Sequence, residues 1–277
     1  MNRFTEFRNG YGRRKTVADL FQWLRWIHIA AGSVALIVFW IPAFAPKGGR
    51  THVRAGWVYV IGMSIVVVTA FSMSGLAFGF PLDVRHFQRP MSPEEQASFI
   101  HSQHIFAAFL GYLAALTLMF GWQGVWVMRT KKNPEEMRKP FTIGLYAAVF
   151  LGGIAIFVIG LREHAGPLMG LGPVGPFATS GSLRYVLQGP RTRMHWWYEH
   201  IGGMLGTAIA GYTAFLVFGG ARLFRSMLHG QMYTIFWVLP TIIGVPTIYI
   251  TVGYYRRKFK ENRPGTTPAA PRASATA

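Results

Sequence analysis

Six long apolar segments alternate along the chain with shorter polar or basic stretches. A membrane-spanning helix needs about 20 predominantly apolar residues, and each segment is long enough to supply them. Tryptophan and tyrosine collect near the segment ends, as they do at the two interfaces of a bilayer. The pattern predicts an all-α membrane protein, a bundle of six transmembrane helices, with spans near residues 23–45, 56–80, 99–128, 141–161, 196–224 and 233–255.

The flanking stretches give the chain a three-part organisation. Residues 1–22 are predicted to form a basic cytoplasmic N-terminal tail, and residues 23–255 the six-helix transmembrane domain. Residues 256–277 are rich in Pro, Ala and Thr, a composition that predicts a disordered tail. The N-terminal apolar run is longer than the apolar region of a signal peptide, so we expect a retained helix.

The connection between the fourth and fifth spans, Arg162 to His195, is rich in Gly-Pro dipeptides, which mark turns. A loop of this length is uncommon in a compact protein unless it acts as a lid, docks a partner or is disordered. All three alternatives stay open from the sequence. The loop lies next to histidines of the fourth and fifth spans, so a lid here would cover a site on that face.

Composition narrows the function classes. The chain of 277 residues is 51% hydrophobic, 14% charged and has no cysteine, which excludes disulfides, iron–sulfur clusters and thiolate metal ligands. The net charge of +18 comes from Lys and Arg beside apolar spans, so it indicates topology signals and contacts with anionic lipids, not nucleic acid. Most of these cations lie on the side of the two termini, which predicts a plasma-membrane protein with both termini cytoplasmic.

Three histidines recur in a His-Ile pattern near the start of alternate spans, at His28, His104 and His200. The recurrence suggests three helical hairpins, each led by a histidine-bearing helix. Alternate helices of a bundle start on the same face, so we expect the three imidazoles at one depth. Ionisable groups inside a membrane are costly and mark functional sites. Small residues follow on the same helix faces and serve either close packing or a flat bound group; they include Gly32, Gly111 and Gly203.

Haem b is the cofactor that this pattern favours, because imidazole is a standard axial ligand and helical bundles hold cofactors between facing helices. His28 with His104 or His200 would ligate the iron. The alternative is a single divalent metal ion held by all three imidazoles. Glu199 and Glu163 are the candidate bases in that arrangement. Weaker candidate ligands lie elsewhere, at His52, His101 and His164.

The first connection carries a Gly-Gly-x-x-His-x-x-x-Gly-x-x-Tyr-Val run from Gly48 to Val60. Gly48-Gly49 permits a tight reversal, and His52 lies on the opposite side from the predicted triad. This run, with the His28 and His104 helices, resembles a family of uncharacterised bacterial multi-pass membrane proteins that has no established activity. The layout is more distantly similar to transmembrane b-type cytochromes, a resemblance that implies haem between histidines of neighbouring helices.

Three functions follow as hypotheses from these features. The first is a membrane haem-binding or electron-transfer protein. The second is a metal-dependent membrane enzyme or a proton-coupled carrier that uses the same histidines with Glu199. The third is a non-catalytic subunit of a larger complex, with partner membrane subunits docked on the Arg162–His195 connection and the basic tails. Whether the chain is an enzyme is open at this stage.

Overall fold

The computed structural model describes residues 3–85, 87, 89–220 and 232–261. This part of the chain is helical, with a short 3₁₀ turn at Pro134–Met137 and no strand. The helices are α1 (Arg3–Phe44), α2 (Arg50–Gly79), α3 (Pro93–Arg129), α4 (Pro140–Arg162), α5 (Gly166–Leu171), α6 (Val174–Gln188), α7 (His195–Ala214) and α8 (Met232–Lys258). A π-helical turn, Phe215–Gly220, extends α7.

Six of these helices, α1 to α4, α7 and α8, are long and apolar enough to cross a membrane. The predicted all-α class and the six spans are therefore confirmed. The helices are longer than the predicted spans: α3 begins at Pro93, and α1 includes residues assigned to the N-terminal tail. Hydropathy misses these polar extensions because helical hydrogen bonding continues after the apolar run has ended. Residues 262–277 of the predicted C-terminal tail lie outside the described residues.

The described chain divides into two compact units. The first comprises Met1–Leu118 and Ala148–Pro176, and the second Met119–Ala147 and Phe177–Ala277. Helices α3 and α4 contribute to both.

In the first unit, α1 and α2 form an antiparallel hairpin with close helix contact. A Cβ atom on Gly62 would lie 3.0 Å from the Cβ of Ala35, so a small residue is needed at this crossing. Farther along, the rings of Phe39 and Tyr59 pack with centroids 5.5 Å apart. Small residues at helix contacts and aromatic packing are typical of helix association in lipid.

The turn between α1 and α2 accounts for the Gly-Gly-x-x-His run. Gly48 adopts a φ of 79°, a left-handed conformation that favours glycine. The carbonyl of Pro42, near the end of α1, accepts hydrogen bonds from Lys47 Nζ and His52 Nδ1, both at 2.9 Å. These side chains satisfy a carbonyl that has no helical partner at a helix end. Burial among these groups lowers the pKa of Lys47.

The predicted loop between the fourth and fifth spans instead contains α5 and α6. The chain turns back after α4, and α5 runs antiparallel along it. A Cβ atom on Gly160 would lie 2.7 Å from Met169 N, and one on Gly172 would lie 2.7 Å from Phe157 N. Glycine is needed at both positions because the two backbones touch here.

The hydroxyl of Tyr112, on α3, binds the backbone groups at the break between α5 and α6. It lies 3.1 Å from the Leu171 carbonyl and 3.0 Å from the Gly172 carbonyl, to which it donates. It also accepts a hydrogen bond of 2.9 Å from the N–H of Gly175. Backbone groups at membrane depth must be satisfied by protein. Tyr112 therefore replaces hydrogen bonds that a continuous helix would have made.

The far end of α6 lies beside the start of α4. Arg138, two residues before α4, donates through Nε to the Val186 carbonyl at 3.0 Å and through a terminal nitrogen to the Leu187 carbonyl at 3.1 Å. Helices α5 and α6 have 6 and 15 residues and together cover about 32 Å at 1.5 Å per residue, comparable to the hydrocarbon core of a bilayer. The connection between the fourth and fifth spans thus runs back along α4 to the N-terminal end of that helix. The sequence analysis expected a loop that stays at one face, and that expectation is wrong.

Single cysteines test this course cleanly, because the native chain has none. Arg162→Cys and Arg191→Cys, both at exposed positions, should react with a membrane-impermeant maleimide from opposite sides of a vesicle. Arg129→Cys at the end of α3 should label from the same side as Arg191→Cys. Labelling of residues 162 and 191 from one side would contradict the antiparallel course.

Tyr112→Phe should lower the free energy of unfolding by about 1–3 kcal/mol, since it leaves buried backbone groups without a partner. Thermal unfolding of the purified protein in detergent measures the effect. Tyr249→Phe is the control, because Tyr249 is 65% exposed on α8. Equal melting temperatures for the two variants would show that the hydroxyl of Tyr112 does not stabilise the break between α5 and α6.

Candidate functional site

His28, on α1, is fixed by α2. Its Nδ1 lies 3.0 Å from the hydroxyl of Thr69 and 3.2 Å from the carbonyl of Val66. The Thr69 hydroxyl donates its own proton to the Ile65 carbonyl at 2.7 Å, so it accepts from the imidazole. Nδ1 therefore carries the proton, and Nε2 is left as the nitrogen with the lone pair.

His104 contacts α2 at a different height. Its ring stacks on that of Phe78, with centroids 4.6 Å apart. Phe78 and Thr69, the partner of His28, are nine residues apart on α2, or about 13 Å of helix. Two imidazoles that share a haem need nitrogens about 4 Å apart, from two bonds of about 2 Å. The expected common depth of His28 and His104 is therefore wrong.

His200, on α7, is bound near the C-terminal end of α3. Its Nδ1 donates to the Gly124 carbonyl at 2.7 Å. Twenty residues, about 30 Å of helix, separate Gly124 from His104 on α3. Within the second unit, α7 therefore begins beside the C-terminal end of α3. Among the described residues, no group of three or more His, Asp or Glu side chains is placed to hold a metal ion.

Neighbouring helices fill the space beside the three candidate glycines. A Cβ on Gly111 would lie 2.8 Å from the hydroxyl of Ser74, and one on Gly203 would lie 2.6 Å from Gly124 N. At Gly32 the nearest atom is Val66 Cγ2, at 3.5 Å. Helix packing therefore accounts for these small residues without a flat group between the helices.

The weaker histidine candidates have separate surroundings. His52 caps the end of α1, as described above. His101 Nε2 lies 3.2 Å from Glu163 Oε1 in an exposed pair that joins the start of α3 to the end of α4. His164 has a φ of 50°, a left-handed conformation, where the chain leaves α4. Glu163 is therefore a partner of His101 and not of its neighbour His164.

A cluster of polar side chains in the second unit surrounds Glu199. The amide of Gln123, on α3, donates to Glu199 Oε2 at 2.6 Å. The hydroxyl of Tyr146, on α4, donates in turn to Gln123 Oε1. Gln123 is 1% exposed and Tyr146 is fully buried, so this chain of hydrogen bonds leads from the carboxylate into the interior.

His195 approaches the other oxygen of the same carboxylate. The backbone N–H of Arg191 donates to His195 Nδ1 at 3.0 Å, which places the imidazole proton on Nε2. That Nε2 faces Glu199 Oε1 at 3.5 Å, with both side chains largely buried. The two residues are four apart, so they share one face of α7.

Tyr185, near the end of α6, completes the cluster. Its ring meets the ring of His195 edge to face, with centroids 4.9 Å apart. Tyr185 is 1% exposed, and its buried hydroxyl has no hydrogen-bond partner among the residues that the structure describes.

The end of α8 is attached beside this cluster through Glu261. Its carboxylate accepts hydrogen bonds from Met194 N at 2.9 Å and from the Tyr198 hydroxyl at 2.7 Å. Burial acts to raise the pKa of Glu261, but the hydroxyls of Thr192 and Tyr198, the Met194 N–H and the charge of Arg193 together lower it. The two carboxylates near the start of α7 thus have different tasks: Glu261 anchors a helix end, and Glu199 lies within the polar cluster.

Sequence reasoning found Glu199 but not its partners. Glu199 and His200 point apart, since Glu199 meets Gln123 while His200 meets Gly124. The i, i+4 spacing of His195 and Glu199 was a readable signal. Gln123 and Tyr146 gave only a weak signal in the sequence, because each is a single polar residue in an apolar helix.

Comparison with protein-family models, curated proteins and solved structures finds no match for this chain. The resemblance built on the Gly48–Val60 run stays a prediction.

Gly203→Ala should lower the free energy of unfolding by about 1–3 kcal/mol, because its Cβ would meet the backbone of α3. Thermal unfolding in detergent measures the loss. Gly202→Ala is the matched control, since its Cβ would have no atom within 4 Å. A Gly203→Ala variant as stable as Gly202→Ala would show that the contact between α3 and α7 is looser than described.

Proposed function

We propose that this multi-pass membrane protein is a proton-coupled carrier in which Glu199 takes up and releases the proton. The observation that carries the proposal is the pair of contacts on one carboxylate, Gln123 on Oε2 and His195 on Oε1, inside an apolar span. Ionisable residues within membrane helices are rare and line ion or proton pathways.

Protonation of Glu199 would change the hydrogen bonds of the whole cluster. A carboxylate only accepts hydrogen bonds, whereas a carboxylic acid also donates one. The neutral acid holds the Gln123 amide and the His195 N–H less strongly, since hydrogen bonds to charged groups are the stronger kind. Gln123 belongs to α3 and Glu199 to α7. The protonation state of Glu199 therefore changes the strength of the hydrogen bond that joins the two helices. Coupling a proton to a change of conformation requires such a dependence.

Glu199→Gln tests the proposal on the full chain, reconstituted on a solid-supported membrane. A jump in pH should produce a transient charge movement as Glu199 binds or releases its proton. The variant should lose most of that movement because a glutamine does not titrate. Glu135→Gln is the control, since Glu135 is 81% exposed in the connection between α3 and α4. An undiminished charge movement in Glu199→Gln would contradict the proposal.

A second candidate function, haem binding with electron transfer, is favoured by two histidine tautomers. His28 and His200 each donate Nδ1–H to a backbone carbonyl, the kind of hydrogen bond that orients metal-ligating imidazoles. The glycines near them give no further support, because helices fill the space beside them. His28 or His200 would hold the haem, which would supply one-electron chemistry.

An optical spectrum decides this candidate. Protein expressed with haem supplied should show a Soret band and a reduced α-band, and His28→Ala or His200→Ala should remove the signal of its own site. Gly202→Ala serves as the control. A purified, folded protein without these bands would contradict haem binding. Elemental analysis of the same sample would detect a single divalent metal ion instead.

We infer a bacterial inner membrane as the location, with anionic lipids around the chain. Cations stacked on aromatic rings support the lipid contacts: Lys131 lies over Trp196 at 5.0 Å, and Lys139 lies over Trp126 at 5.2 Å. That both termini lie on the cytoplasmic side stays a prediction from the distribution of Lys and Arg. Partner membrane subunits stay a prediction.

A further inference from the structure

Two cations of the second unit converge on one tryptophan ring where α3 ends and α4 begins. Arg129 Cζ lies 5.5 Å and Lys139 Nζ lies 5.2 Å from the centroid of the Trp126 ring. Trp122 stacks on the same ring, with centroids 4.7 Å apart and the ring planes inclined by 11°. Because Trp122 covers one face of Trp126, the two positive charges share the other face.

The helix dipole disfavours a positive charge at the position of Lys139. This residue directly precedes α4, a helix of 23 residues whose first turn contains no acidic side chain. The N-terminal end of a helix carries partial positive charge, so it stabilises anions and not cations. Lys139 therefore lies close to two other sources of positive charge, the helix end and the Arg129 guanidinium. The Trp126 ring attracts both cations but neutralises neither.

The two acidic residues of the same connection have partners of their own. Glu135 Oε1 lies 3.7 Å from a terminal nitrogen of Arg138, and Glu136 accepts a hydrogen bond of 3.2 Å from the amide of Asn133. Arg129 and Lys139 are both exposed, so an anion from outside the chain can reach them. Such an anion would offset the repulsion between the two cations.

The surroundings of these cations favour a lipid over a soluble anion. Helices α3 and α4 are both long and apolar enough to span a membrane, so their shared end lies at the level of the headgroups. One turn farther into α3, the Trp122 ring meets Phe141 edge to face, and Phe141 is 53% exposed. The Trp122 N–H donates to the Thr142 hydroxyl at 3.0 Å, which fixes the ring. A positively charged surface thus adjoins an apolar surface on which an acyl chain can lie.

We propose that Arg129 and Lys139 bind one anionic phospholipid at a defined site, in addition to the general contact of the chain with lipid. The phosphodiester group lies against the two cations and beside the start of α4, and an acyl chain lies along Phe141. A headgroup without a cationic group fits best, because the amine of a zwitterionic headgroup would meet positive charge. Phosphatidylglycerol has that chemistry. This lipid site does not depend on the proton chemistry of Glu199.

Native mass spectrometry of the full chain in detergent tests the site, with phosphatidylglycerol and phosphatidylcholine of the same acyl chains titrated separately. The native protein should bind one phosphatidylglycerol molecule at least about fivefold more tightly than phosphatidylcholine. Lys139→Gln should weaken that binding about fivefold, since one cation near an anionic lipid contributes about this factor. Lys139→Arg keeps the charge and should keep the native affinity. Lys132→Gln is the matched control, because it removes the same charge from an exposed position of the same connection.

A loss of affinity that is confined to Lys139→Gln supports the site. Equal weakening in Lys139→Gln and Lys132→Gln would overturn it, because general attraction between charges would then account for the binding. Equal affinity of the native protein for the two lipids would also overturn it. Inorganic phosphate distinguishes the soluble source of the same chemistry: if phosphate alone raises the melting temperature as much as phosphatidylglycerol does, the ligand is a soluble anion and the lipid site is wrong.

Discussion

The hydroxyl of Tyr112 makes the hydrogen bonds on which the second half of the fold depends. It receives the N–H of Gly175 and donates toward the carbonyls of Leu171 and Gly172, where α5 ends and α6 has not begun. In water such a break would be solvated; in a membrane the protein itself must satisfy it. Because the break is satisfied, the chain can run back along α4, and α7 can begin beside the end of α3.

That course places a carboxylate between three helices. Glu199 reaches Gln123 of α3 only because α7 starts at that end, and the end of α6 delivers Tyr185 to the same place. None of the three residues is unusual alone. Their juxtaposition brings together a carboxylate, the amide that binds it and a buried phenol ring that packs against His195. Such a group suits proton exchange better than metal ligation, which needs several ligands on one point.

The sequence predicts the six long helices well, but it does not predict which helices contact one another or at which height. Hydropathy recognises α1 to α4, α7 and α8 because a membrane span must be apolar over its length. Hydropathy does not recognise the segment with α5 and α6, because it is rich in glycine, proline and serine. Glycine is needed there because the backbones of α4 and α5 touch. The expected common depth of His28 and His104 fails because the sequence does not show at which height each helix meets α2: His28 contacts Thr69, and His104 contacts Phe78. Gly203 is visible in the sequence as a small residue on the face of His200, but only its contact with Gly124 shows that it serves helix packing.

The break at Gly172 also bears on how the protein is made. The segment after α4 is weakly apolar and carries backbone groups that lipid cannot satisfy. Its partner Tyr112 lies about 60 residues earlier in the chain, so the partner leaves the ribosome first. The order of synthesis therefore supplies the hydroxyl of Tyr112 before the backbone groups that it satisfies.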